Sequence, residues 1–119
     1  MKDDRLYLIH IQQCITRIEQ YTAAGREAFA TDTKTQDAVL RNLHTLAEST
    51  QRLSALLKSR HPAVEWAAIA GFRNVLVHDY LGINLNRVWE IVENDLPDFK
   101  THVTAMLAES SAPGASPDN

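Results

Sequence analysis

Apolar residues recur at three- and four-residue intervals along most of this chain, the spacing that lines one face of an α-helix. From Leu6 to Thr22 the row is Tyr7, Ile11, Cys14, Ile15, Ile18 and Tyr21, which predicts a first helix ending at Ala23-Ala24-Gly25. Arg26 to Thr33 reads as a connection with one turn around Phe29. The cleanest row follows: Val39, Leu43, Leu46, Leu53 and Leu57 point one way at about 100° per residue and predict a single helix from Lys34 to about Lys58. Its opposite face carries Asp37, Arg41, His44, Glu48 and Arg52, a polar stripe able to pair across one or two turns.

His61-Pro62 is the expected start of a third helix, because proline favours a first turn, and Gly82 is its expected stop after Leu81. Trp66, Ile69, Phe72, Val75, Leu76, Val77 and Leu81 spread around most of this helix, so it should be covered on more than one side, as a core helix at a dimer interface would be. Leu85, Val88, Trp89, Val92 and Leu96 mark a fourth helix. Pro97 should break or kink the chain before a fifth row of Phe99, Val103, Met106 and Leu107. The expected architecture is all-α, an up-and-down bundle of four to five helices, homodimeric. It fills one domain over residues 1–109, and the Ser-, Pro-, Ala- and Gly-rich stretch 110–119 is expected to be a disordered tail.

The 119 residues suit one small domain with one core, and the net charge of −3 argues against a general nucleic-acid coat while permitting a local basic patch. A single cysteine, Cys14, excludes an internal disulfide framework. The start Met1-Lys2-Asp3-Asp4-Arg5 precedes an amphipathic stretch rather than a signal-peptide run, and no apolar segment reaches about 20 residues, so a cytoplasmic protein with no membrane partner is expected.

The candidate chemistry lies in Arg73-Asn74-Val75-Leu76-Val77-His78-Asp79-Tyr80. Five polar or ionisable residues, Arg73, Asn74, His78, Asp79 and Tyr80, interrupt an otherwise apolar helix, and burying them costs free energy unless they are partnered. Arginine offers a permanent cation with a fork suited to phosphate, and histidine moves protons near neutral pH. That pair points to phosphodiester chemistry. No acidic or Cys/His cluster stands at metal-ligand spacing in the sequence, so the chemistry is expected to run without a metal or other cofactor. On an ideal helix Arg73 and His78 point about 140° apart, whereas Asn74 and His78 stack one turn apart and Arg73 and Tyr80 share a face within about 20°. The diverging directions can meet across a twofold axis that packs this helix against its own copy.

Arg73-Asn74-x-x-x-His78-x-Tyr80 resembles the signature of the HEPN superfamily, and the rest of the chain resembles its HepT branch. Further similar features are Asp37-Ala38-Val39-Leu40-Arg41-Asn42-Leu43, Glu48, the Pro62-x-x-x-Trp66 segment and Val88-Trp89-x-x-x-x-x-Asp95-Leu96-Pro97. The resemblance implies a homodimeric, metal-independent endoribonuclease toxin. It also implies a minimal nucleotidyltransferase antitoxin that transfers AMP to the motif tyrosine, here Tyr80. Carried onto this sequence, His78 serves as general base or acid on the RNA 2′-hydroxyl and leaving 5′-oxygen, and Arg73 stabilises charge on the phosphate. Asn74 orients the phosphate or the histidine, and Glu48 with Arg41 forms a supporting layer. The competing expectation is a non-catalytic dimer that binds a nucleotide or a nucleotidyltransferase as a regulatory module.

Overall fold

Two long helices, α1 (Lys2–Tyr21) and α3 (Thr33–Gln51), carry the centre of the computed structural model. It describes residues 2–77 and 84–111, with side chains described for 3–73 and 84–109. Between the two lies the short α2 (Arg26–Thr31). After α3 come α4 (Ala55–Arg60), α5 (Trp66–Val77) and α6 (Leu85–Glu90), then a π-helical turn over Ile91–Asp95 that runs into α7 (Leu96–Ser111). Every element among the described residues is helical. None of these helices is long and apolar enough to cross a membrane.

α1 packs between α3 and α7, and α3 packs in turn against α5. The predicted apolar rows build this core: Ile11, Cys14, Ile15 and Ile18 from α1 meet Val39, Leu43 and Leu46 from α3 and Phe99, Val103 and Met106 from α7, all buried. Burial pushes the Cys14 thiol up, so this cysteine behaves as a small core hydrophobe. Two side-chain contacts fix the up-and-down sense. Asp4, at the start of α1, reaches Ser54 just past the end of α3, and Lys100, early in α7, pairs with Glu19 near the end of α1 at 2.9 Å.

The connection after α1 turns at Gly25, whose φ of 98° is a backbone conformation that other residues adopt only with strain. The expected single turn around Phe29 is α2, with Phe29 buried against Trp89 at 5.5 Å between ring centroids. At the head of α3, Asp32 caps the first turn by accepting from the Lys34 N–H at 3.1 Å and the Thr35 hydroxyl at 2.7 Å. The Thr35 hydroxyl bond is the main cause holding the Asp32 carboxyl below its ordinary range.

Three expectations are corrected. The helix predicted from Lys34 to about Lys58 is two helices, because the chain leaves helical geometry after Gln51 and Ser54 starts α4 by accepting the Leu57 N–H on its hydroxyl at 3.1 Å. The Asp4 carboxylate holds this break open, accepting from the Ser54 N–H at 2.8 Å and from its hydroxyl at 2.6 Å. Asp4 is 8% exposed and gains two charge-assisted bonds, so Asp4→Ala is expected to cost about 2–3 kcal/mol. Thermal unfolding followed by circular dichroism should show a Tm roughly 10 °C lower, and a Tm within about 2 °C of wild type would contradict that role.

The second correction concerns Pro62. It does not open α5, which begins at Trp66 after a pair of turns through His61 and Val64, tied by the Trp66 indole N–H donating to the His61 carbonyl at 3.0 Å. Third, Pro97 does not break the chain. The Leu96 N–H reaches back five residues to the Ile91 carbonyl, and this wider turn relieves the clash that a proline ring makes with the carbonyl four residues before it. Pro97 then occupies the first turn of α7. The predicted helix stop at Gly82, Leu81 of the apolar row and the tail beyond Ser111 lie outside the described residues.

Candidate active site

The late part of α5 lies against the last two turns of α3, and the contact is polar. Arg73 donates from Nε to Glu48 Oε2 at 3.0 Å and from NH1 to Gln51 Oε1 at 3.3 Å. His44 Nε2 stands 4.0 Å from the same Oε2, too far for a hydrogen bond. His44, Glu48 and Gln51 are spaced i, i+4 and i+7 and so share one face of α3, from which Glu48 and Gln51 reach Arg73.

The Arg73 and Glu48 side chains are 41% and 36% exposed, and an ion pair in that setting contributes on the order of 1 kcal/mol or less to stability. Its consequence is orientation. Nε and NH1 of the guanidinium are engaged on α3, and the side chain remains partly open to solvent. A pre-oriented, half-exposed arginine fork is suited to an incoming phosphate.

Of the residues expected at the site, Arg73 and Glu48 are brought together. Arg41 lies two turns before Glu48 on the same helix face, with no ion pair to a described residue, so it is not in the layer directly behind Arg73. The Asn74 backbone belongs to α5 and its side chain lies outside the described residues, as do His78, Asp79 and Tyr80. Sequence reasoning missed Gln51. Its spacing three residues after Glu48 was the available signal, but a neutral amide at a helix end does not stand out.

A cleft of about 290 Å3 lies between α5 and the π turn with α7, and Glu65, Ile69, Phe72, Asp95, Asp98 and His102 help to line it. Its three carboxylates repel phosphate, and Phe72 lines it where the neighbouring Arg73 does not. That lining makes the cleft a poor place for phosphate, whereas Arg73 faces α3. Among the described residues no three His, Cys, Asp or Glu side chains are grouped to hold a metal ion.

The described residues form an all-helical protein with an arginine braced between two helices, and sequence comparison supplies the family. Residues 11–106 match the family model described as Ribonuclease HepT-like, and the chain belongs to that family. It is similar to a protein of Caldanaerobacter subterraneus subsp. tengcongensis named as a candidate RNase, 33% identical over 90% of this chain and 96% of that one. It is also similar to the mRNA nuclease HepT of Shewanella oneidensis, 29% identical over 83% of this chain and 92% of that one. A longer relative in Methanocaldococcus jannaschii, named as a gamma-glutamylcyclotransferase and candidate RNase, is 32% identical over 91% of this chain, which spans 49% of its length. No solved structure gives a significant match.

Proposed function

We propose that this chain is an endoribonuclease that cleaves RNA without a metal ion, acts in the cytoplasm as the toxin of a toxin–antitoxin pair, and works as a homodimer. The observation that carries the reading is Arg73, contacted by Glu48 and Gln51 and still partly exposed, five residues before His78 in a HepT-like chain. A name given to one relative, mRNA nuclease, supports RNA as the substrate class.

The reaction draws its nucleophile from the substrate. The RNA 2′-oxygen attacks the adjacent phosphorus, its proton passing to a neutral His78, while the bond from phosphorus to the 5′-oxygen breaks and that oxygen takes the proton back from the same histidine, now protonated. Arg73 holds the phosphate as its equatorial oxygens gain charge. No water has to be activated, so no metal is required. The products are a 2′,3′-cyclic phosphate and a 5′-hydroxyl.

Dimerisation through α5 is the arrangement that would unite the two motif residues. Packing α5 on its copy brings Arg73 of one copy toward His78 of the other, which the 140° divergence within one helix otherwise prevents. Transfer of AMP to Tyr80 by a nucleotidyltransferase antitoxin adds an anion seven residues from Arg73, competing with the RNA phosphate.

The test is cleavage of defined RNAs by unmodified protein in excess chelator, with the ends mapped, before and after treatment with the nucleotidyltransferase and ATP. Cyclic-phosphate ends, lost on treatment of wild type but not of Tyr80→Phe, are the expected result. Cleavage that stops in chelator, or 3′-hydroxyl ends, would sink the mechanism. Silencing of Tyr80→Phe by the antitoxin would sink the modification site.

A further inference from the structure

The exposed face of α3 continues past Arg73 in both directions, and arginines stand on either side. Arg41 precedes Glu48 by seven residues and Arg52, the C-cap, follows it by four, so on helical geometry both lie within about 40° of Glu48 around the axis. Both are exposed and neither has an ion pair with a described residue. The row from Arg41 to Arg52 is about 16 Å long, with Arg73 entering from α5 between them.

The charge along this row has the sign a phosphate chain needs. Between Arg41 and Arg52 the only acidic residue of α3 is Glu48, and Arg73 already occupies it. Three arginines and one carboxylate leave two positive charges on this face, on a chain whose net charge is −3. His44 and Thr45, both exposed, add hydrogen-bonding groups to the stretch. Asp37, the next acid toward the N-terminus, lies one turn before Arg41 and bounds the row.

We propose that this face of α3 is a track for the backbone of single-stranded RNA, with Arg41 and Arg52 each contacting a phosphate on opposite sides of the one held by Arg73. The proposal rests on the ribonuclease reading and adds two substrate-binding residues to it. Contacts of this kind set register along the strand and carry no base information, so the track confers length dependence rather than sequence preference. The acidic cleft on the other side of α5 leaves the strand no competing path there.

The experiment is binding of a 2′-O-methyl RNA oligonucleotide, which lacks the attacking hydroxyl, to wild type and to Arg41→Gln, Arg52→Gln and Arg17→Gln over a range of salt. Arg17, exposed on α1, is the control for loss of one positive charge elsewhere. Arg41→Gln and Arg52→Gln should each weaken binding several-fold and lower the slope of log Kd against log salt by roughly 0.7–1, while Arg17→Gln changes neither. In cleavage assays the loss should appear in KM. Arg41 and Arg52 variants that behave like Arg17→Gln, or wild type that does not bind the oligonucleotide, would overturn the track. Wild type that binds with the expected slope but leaves ordinary RNA intact would instead overturn the ribonuclease reading alone.

Discussion

Replacing His78 by alanine is expected to lower RNA cleavage by about 10²- to 10⁴-fold with little change in folding or oligomeric state. Proton transfer at the 2′-hydroxyl and the 5′-oxygen is the part of the reaction that a fixed arginine cannot supply, because a guanidinium stays protonated across the working pH range. With His78 absent, Arg73, held by Glu48 and Gln51, should still bind the phosphate. The variant's loss should therefore fall in kcat and leave binding of the 2′-O-methyl oligonucleotide unchanged. Initial rates on a defined RNA, beside a thermal unfolding curve, make the comparison. A folded His78→Ala protein that cleaves at the wild-type rate would remove the histidine from the mechanism and leave Arg73 as a binding residue only.

The same physics explains which parts of the molecule were legible in the sequence. Rows such as Ile11, Cys14, Ile15 and Ile18, or Val39, Leu43 and Leu46, announce buried faces because a helix can hide only one side, and these residues are buried. The break between α3 and α4 left no trace in that pattern. Leu53 and Leu57 continue the apolar period across it, since both still face the core, and what ends α3 is a carboxylate fifty positions away at Asp4. Trp66 delays the start of α5 through an indole bond to a carbonyl, which outweighs the local preference of Pro62 for a first turn. The π turn before Pro97 is likewise a response to steric conflict that hydrophobic periodicity does not encode. At the site, Arg73 was visible as a charge on an apolar helix, whereas Gln51 became significant only through the packing of α5 on α3.

Two inactive variants are expected to restore one another if Arg73 and His78 act across the dimer. In a composite site each phosphate meets Arg73 of one copy and His78 of the other. A mixed dimer of Arg73→Ala and His78→Ala then holds one site with both lesions and one with none. Random reassortment makes about half of all dimers mixed, each with one of its two sites intact, so the mixture should recover about a quarter of wild-type activity. Were both residues of one copy to serve the same phosphate, every site in the mixed dimer would carry one lesion and nothing would return. Subunit exchange is verified with differently tagged copies, and activity is read as initial rate against the unmixed variants. Recovery would assign one arginine and one histidine from different chains to each phosphate, whereas verified exchange without recovery would place the reaction within a single copy.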